Sequence, residues 1–434
     1  MVRLLDYVRD PTGALQRIAR EGGDVAFFRF GRFNEVLVSH PDLVEQVLVS
    51  QQRLFAKGRA LQETKRVLGA GLLTSEGDLH LSHRRLIQPL FHQRAIGAYA
   101  DEIVAITDRW QRGWGEGETL DLHDELMRLT LAIVSRTVFD ADIQVEGREI
   151  GEALTTVLEI LSHRLALPFG ASLYRLPLPA TRRFARSRER LDGTIAAMID
   201  ERRRRGLGGM DLLSLLLVAG EGEERLSDRQ VRDEAMTILL AGHETTAVWL
   251  TWTLMALAQH ADLDAAVRAE LTRVVGDRPV RAGDLPALEL TDRVLRESLR
   301  LYPPAWLVGR RALADVRLGG LVVPAGTIVV LSQWVVHRDP RWYPEPTRFD
   351  PDRWLPPAEA SRPRFSFFPF GAGTRRCIGE GFAWMEAKLV LVTLLRSWRF
   401  PLSGEGTVLL APRITLRPRG GMPVTLHRAP PSTQ

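Results

Sequence analysis

Cys377 is the single cysteine of a 434-residue chain, and it sits in Phe370-Gly371-Ala372-Gly373-Thr374-Arg375-Arg376-Cys377-Ile378-Gly379. A thiolate can act as a nucleophile or a metal ligand. Downstream, Phe382, Met385, Leu389 and Val392 recur at helical spacing, with Trp384, Leu391 and Trp398 on the opposite side. That pattern predicts a helix apolar nearly all round and therefore buried. Its N-terminus would offer unpaired N–H groups and partial positive charge to a sulfur anion, and the neighbouring arginines would act the same way. Gly371, Gly373 and Gly379 let the backbone approach a flat ligand closely or adopt conformations closed to other residues. Two other readings stay open: a small, inert core hydrophobe, or a nucleophile activated by a histidine base. None of the ten histidines is assigned that role by its sequence position.

A second constellation is Ala241-Gly242-His243-Glu244-Thr245-Thr246. Glycine in a helix interior costs about 0.5–1 kcal/mol relative to alanine, and a buried glutamate costs more unless paired. Both make sense where a helix must touch a cofactor and pass protons. Ala241 and Gly242 would leave room for a small ligand, and a carboxylate beside a hydroxyl forms a relay through water. The plainer alternative has Thr245 bonding back to a carbonyl and Glu244 in a surface salt bridge. His243 has no assigned role.

These residues need a scaffold, and most of it reads as helix. Phe91 to Trp114, Leu122 to Val138, Gly151 to Arg164 and Ala180 to Arg205 show spaced apolar residues among charges. The helix carrying Glu244 is the best specified. Ser227 can cap it, Gln230 completes a capping box, and Leu226 with Val231 can form a staple. With no proline before His260 it runs roughly 30 residues, on the order of 45 Å. Another helix, Leu285 to Leu301, stops at Pro303-Pro304. Strand signals appear at Val25 to Val38 around a Gly-Arg turn and at Val316 to Val330. Ile414 to Leu426 reads as a closing hairpin around Gly420-Gly421. Between them, Arg338 to Phe370 is long and aperiodic, the kind of loop that is usually functional.

Composition bounds the rest. The chain is 45% hydrophobic and 26% charged, as an ordinary globular protein is. No linker or fixed-period repeat divides it, so residues 1–434 read as one domain, mainly α with small β-sheets (α+β). A lone cysteine excludes an internal disulfide framework and fits a reducing cytoplasm. The N-terminus has no apolar core of signal or anchor length. The apolar run Ala235 to Ala258 carries Glu244 near its centre, where a charge in lipid costs about 2.5–3.5 kcal/mol or more; a buried helix is expected, with no membrane anchor. The net charge is +5, almost all from arginine, and the only lysines are Lys57, Lys65 and Lys388. No helix-turn-helix or zinc-finger spacing supports nucleic-acid binding, and Arg202 to Arg205 read as a helix C-terminus closed by Gly206.

The pattern Phe-x-x-Gly-x-Arg-x-Cys-x-Gly at Phe370, Gly373, Arg375, Cys377 and Gly379 resembles the haem-binding loop of the cytochrome P450 family. The resemblance implies haem b between the long central helix and the cysteine-loop helix, with Cys377 as its proximal iron ligand. A thiolate there pushes electron density onto iron and favours O–O cleavage. It further implies that Arg375 reaches a haem propionate and that Phe370 packs near the sulfur. Thr245 would hold the oxygen intermediate and Glu244 would feed protons, with Ala241 beside the haem. Glu297, Arg300 and Arg353 correspond to the family's structural triad. Arg310 and Arg84 correspond to propionate anchors. His80 occupies the place where the family often has tryptophan, a departure also seen among bacterial members.

The expected activity is that of a soluble bacterial-type monooxygenase hydroxylating or epoxidising a small hydrophobic substrate (a terpenoid, fatty acid, macrolide or similar) with O2. Pocket-lining segments are expected at Phe55 to Leu73, Leu165 to Leu178, Ile238 and Trp306 to Val308. No fused reductase domain is seen, so electrons would come from a ferredoxin and its NAD(P)H-dependent reductase. Arg85, Arg376 and Lys388 could dock an acidic ferredoxin by electrostatic steering. The rival readings are a haem-thiolate peroxygenase or isomerase, which would not need Glu244 and Thr245, and a non-catalytic haem-binding protein.

Overall fold

The computed structural model describes residues 4–30, 33–92, 96–141, 147–165, 167, 170–209, 211–218, 226–404 and 408–430. The long helix runs Asp228–Gln259, 32 residues. Its start is the foreseen capping box: the Ser227 hydroxyl accepts from Gln230 N at 3.3 Å and the Gln230 carbonyl accepts from Ser227 N at 2.9 Å. From Asp233 to Leu257 every residue is buried except Ala241, Gly242 and Thr245. A helix sealed on all sides except at one short stretch is a core element with an opening.

The Leu122–Phe139 helix packs along it. At Gly242 a β-carbon would stand 2.9 Å from Val134 Cγ2. The glycine expected to make room for a ligand is therefore also required for close approach of these two helices. The helices Gly147–Leu165 and Pro179–Arg205 follow as anticipated. The stretch Phe91 to Trp114 is not one helix. A 3-10 turn ends at Phe91, Ile96 and Gly97 are helical, and a turn at Ala98 and Tyr99 precedes the regular helix that begins at Ala100. Likewise Leu285 to Leu301 shortens to Glu289–Leu301, because Pro286 lies in a preceding 3-10 turn and has no N–H to continue a helix.

The main sheet has five strands, in the order Val25–Phe30, Phe33–Val38, Ile328–Leu331, Val308–Ala312 and Phe55–Lys57. Phe33–Val38 and Ile328–Leu331 are parallel, and the other neighbours antiparallel. The Gly31-Arg32 turn expected within the first pair lies outside the described residues. The closing hairpin needs correction. Leu410–Pro412 pairs with Leu416–Pro418, whereas Pro423–Thr425 crosses to Thr119–Asp121. Gly421, at φ 85°, makes that jump: a β-carbon there would lie 1.7 Å from Asp121 Oδ2.

The cysteine helix, Glu380–Ser397, packs against the long helix and against Ala100–Gln111. None of the described helices is long and apolar enough to cross a membrane.

Candidate active site

The cysteine loop is held from several sides. Cys377 N donates to Phe370 O at 2.9 Å, closing the loop on itself. Gly371 and Gly373 both adopt φ 68°, and a β-carbon at Gly373 would lie 2.0 Å from Leu48 O. Thr374 is fixed through its N–H and hydroxyl to Gln52 Oε1, at 2.9 and 2.7 Å. The Phe370 ring stands edge-on to Trp249 of the long helix and tilted to Trp384 of the cysteine helix. Gly379 caps the cysteine helix and packs on Phe91.

Cys377 retains surface exposure, yet burial is the largest influence on its thiol and pushes it above its ordinary value. A sulfur set deep in protein and opening onto an internal space satisfies both observations. The Gly379 N–H and the charges of Arg84 and Arg376 pull the other way without prevailing. The helix end and the arginines thus act in the expected direction, and burial outweighs them. The charge of a coordinated metal would overcome burial, since it deprotonates a ligating thiol outright.

On the long helix, Thr245 Oγ1 donates to Ala241 O at 2.9 Å. Its oxygen lone pairs stay free to accept a bond from the open stretch. Glu244 is buried, not at the surface. It accepts from Thr415 Oγ1 and, at 2.8 Å, from Arg417 Nε, with Arg417 Nη2 at 2.7 Å. Both partners belong to the C-terminal segment, which sequence spacing could not connect to Glu244. A cleft of about 830 Å³ reaches Glu244 and His243 between the Leu122–Phe139 and Gly147–Leu165 helices and the Leu410–Pro418 hairpin. Its walls include neither Thr245 nor Cys377, so the acid and the alcohol face different spaces. His243 is fully buried, its Nδ1 on Leu239 O at 3.0 Å, and burial holds its pKa below the ordinary value.

A cluster of cations converges at the sheet edge. Lys57 and Arg310 are cross-strand partners, an arrangement of like charges that destabilises a sheet. Both are buried. Burial first, then the charge of Arg375, pushes Lys57 down to about 6 and Arg310 down to about 10. Lys57 Nζ donates to Leu72 O at 3.0 Å and Ser75 O at 2.8 Å, and Arg375 Nη1 to Ser75 O at 3.1 Å. Arg375 also pairs with Glu76. His80, buried beside them, is pushed down to about 3 by burial and by the charges of Arg375, Lys57 and Arg84. Arg84 Nη1 donates to Arg376 O at 2.8 Å, so it braces the cysteine loop directly. Sequence reasoning missed Lys57. Its signal was its rarity: one of three lysines in an arginine-rich chain, at the end of a short strand.

The triad expected from Glu297, Arg300 and Arg353 assembles in full burial. Arg300 donates to Glu297 at 2.8 and 2.7 Å and to His337 O, Pro346 O and Arg348 O. Arg353 Nε stands 3.5 Å from Glu297. The aperiodic stretch is thereby pinned under the Glu289–Leu301 helix. Other expectations fare differently. Lys388 pairs with Asp292 and Arg376 with Glu380; of the three cations expected to dock a partner, Arg85 and Arg376 are exposed and Lys388 is half-buried. Trp306 is buried among Leu15, Leu37 and Leu416 with its Nε1 on Arg413 O, which makes it a packing residue. Part of the expected lining segment Leu165 to Leu178 lies outside the described residues.

The sequence matches the Cytochrome P450 family model over residues 2–422. It is 38% identical to cyclooctatin synthase of Streptomyces melanosporofaciens, over 93% of this chain and 87% of that protein. It is 38% identical to cyclooctat-9-en-7-ol 5-monooxygenase of the same organism, over 88% and 84%. Pentalenene oxygenase of Streptomyces avermitilis is 37% identical, over 89% and 86%. The fold superposes on the cytochrome P450DA heme domain with a TM-score of 0.88 at 27% identity, covering 98% of this chain and 95% of that one. The chain belongs to the cytochrome P450 family. It is a haem-thiolate oxidoreductase of the monooxygenase type whose cofactor is protoporphyrin IX haem.

The residues present fit that cofactor. Arg310 and Arg375 carry more positive charge than Glu76 neutralises, and Lys57 beside them is a donor that an added carboxylate would recharge, so the cluster suits an anionic group. Cys377, accessible at its surface yet raised by burial, would be the residue to ligate the iron.

Proposed function

We propose that this protein, acting as one catalytic unit, hydroxylates or epoxidises a small hydrophobic substrate of the terpenoid class, inserting one atom of O2 and reducing the other to water. The observation that carries this reading is the opening at Ala241, Gly242 and Thr245 on an otherwise sealed helix that packs against the cysteine helix. Relatives named for cyclooctat-9-en-7-ol and pentalenene, both polycyclic terpenoids, support the substrate class.

Haem ligated by Cys377 supplies the oxygen-activating chemistry. Arg310, Arg375 and Lys57 hold its propionates, with neutral His80 beside them, and Arg84 braces the loop through the Arg376 carbonyl. Phe370 and Gly379 shield the sulfur and keep water from it. Thr245, its own proton committed to Ala241 O, accepts a hydrogen bond from a water or oxygen species in the opening. Glu244 carries the proton at Oε1 once it leaves Thr415 and Arg417, and the polar cleft resupplies it from solvent. Electrons come from a ferredoxin and its NAD(P)H-dependent reductase, steered to Arg85 and its surroundings. The lone cysteine suits a reducing cytoplasm.

The test compares wild type with Thr245→Ala. Both should give the red-shifted Soret band of thiolate-ligated haem when reduced under carbon monoxide. Only the variant should divert most of its NADPH-derived electrons to peroxide. A Soret band without that shift removes Cys377 as ligand. Unchanged electron use in T245A instead favours the peroxygenase or isomerase reading.

A further inference from the structure

Among the described residues, the buried arginines Arg202, Arg300 and Arg353 are paired with carboxylates, whereas Arg164, Arg310 and Arg338 are not. Arg310 belongs to the cation cluster already described. Arg338 lies over the Trp334 ring and donates to the carbonyl of Leu301. Arg164 differs from both: it is 5% exposed and lines a notch together with Arg59, Glu63, Leu161, Leu165 and Tyr174.

Arg164 reaches the notch from the last turn of the Gly147–Leu165 helix. Its guanidinium lies over the Tyr174 ring, 3.9 Å from the centroid, and Nη2 donates to Thr181 Oγ1 at 2.7 Å. Arg66 lies over the same ring at 4.6 Å but is committed to Glu63 at 3.0 Å. Nη1 of Arg164 and the hydroxyl of Tyr174 are both enclosed and close together, yet neither meets a partner in bonding geometry. Arg59 enters from the other wall, its guanidinium 3.9 Å from the Phe33 ring centroid, and among the described residues it has no ion pair. Glu35 feels its charge, yet burial outweighs that influence and raises Glu35 to about 7. That acid therefore compensates Arg59 only in part at neutral pH.

Stacking on aromatic rings eases the burial of a guanidinium but supplies no counter-charge. An uncommitted N–H, an uncommitted hydroxyl and a second unpaired cation around one notch call for an anion with two acceptors. A planar carboxylate matches the guanidinium fork. The notch holds about 10 Å³, on the order of one water, so a carboxylate oxygen fits where the four oxygens of a phosphate would not. Two of the segments expected to line the substrate pocket meet here: Arg59 and Glu63 belong to one, Leu165 and Tyr174 to the other.

We infer that this notch anchors a carboxylate on the substrate, held by Arg164 and Arg59 with the Tyr174 hydroxyl donating to it, while the apolar body lies against Leu161 and Leu165. The substrate class narrows from a terpenoid to a terpenoid acid. Such a substrate comes from an earlier reaction that brings a methyl or alcohol carbon to the carboxylic acid stage. The inference rests on the hydrophobic-substrate reading above.

Binding is read from the spin-state shift of the haem spectrum, without turnover. Farnesoic acid and abietic acid are each compared with the corresponding methyl ester at neutral pH. Wild type should bind each acid roughly 10- to 100-fold more tightly than its ester, the range set by hydrogen bonds to a charged group. Arg164→Gln and Arg59→Gln should each weaken the acids by about that factor and leave the esters unchanged. Arg59→Lys, which keeps the charge, should recover part of the preference. Esters that bind wild type as tightly as the acids overturn the anchor and leave the terpenoid reading standing; a notch that merely holds an ordered water gives that result. A preference left intact by R164Q, or by R59Q should R164Q fail to fold, overturns it as well. No spin-state shift with any acid or ester overturns the hydrophobic-substrate reading together with the anchor.

Discussion

Beneath the Glu289–Leu301 helix, Arg300 uses all five of its N–H donors, two on Glu297 and three on main-chain carbonyls. Glu297 also accepts from Asp350 N and Trp354 Nε1. At the edge of the five-stranded sheet, Lys57, Arg310 and Arg375 are brought together with Glu76 as the paired carboxylate. Both clusters are buried and both are built on arginine. The first is complete within the chain, so its work is to hold the loop. The second is incomplete and carries a surplus of positive charge, so its work is to receive something anionic. Completeness of pairing, more than burial or residue type, separates a structural cluster from a binding one.

The sharpest way to break this comparison is Arg300→Ala. It strands Glu297 and three carbonyls in the core, an expected loss of about 3–5 kcal/mol, to be read from urea denaturation. Near-normal stability would show that the triad is not structural. Lys57→Met and Arg310→Met should behave oppositely. If the cluster holds the haem propionates, each removes a charge-assisted contact worth about 1.5–3 kcal/mol, so haem should transfer to apomyoglobin roughly 10- to 100-fold faster. The haem-free protein, rid of a costly buried polar group, should unfold no more easily than wild type. A haem-free Lys57→Met as damaged as R300A would dissolve the distinction.

A third test turns on pH. Lys57 keeps its proton to about pH 10.4 in the unfolded chain but only to about 6 in the fold. Between these values the unfolded chain binds more protons, so the haem-free protein gains stability as pH rises and loses it as pH falls toward 6. Thermal melts across that window should show the slope in wild type, and it should flatten in Lys57→Met.

Local signals were legible in the sequence and long-range ones were not. The capping box of Ser227 and Gln230 fixed where the long helix starts, and the glycine–arginine spacing singled out Cys377. Both depend on neighbours within a few residues. The partners of Glu244 lie in a segment 171 and 173 residues away, and nothing in the spacing connects them. The pairing of Pro423–Thr425 with Thr119–Asp121 was missed for the same reason: Gly420-Gly421 looks like any hairpin turn until its distant neighbour is known. Pro286 shortened one expected helix through a backbone effect that apolar periodicity outweighed. Family resemblance supplied the triad, but only the fold showed that it is enclosed and that Lys57 joins Arg310 and Arg375 in one cluster.

The attachment of Glu244 to Thr415 and Arg417 also bears on the order in which the protein is made. At about 5–20 residues per second, Thr415 leaves the ribosome roughly 10–30 s after Glu244. During that interval the central helix can form and pack on its neighbours while its acid lacks both partners. The surroundings of this buried acid are thus finished by a segment synthesised well after it. A nascent chain cut short near residue 410 should resemble the native protein in helix content yet lack the contacts that hold Glu244.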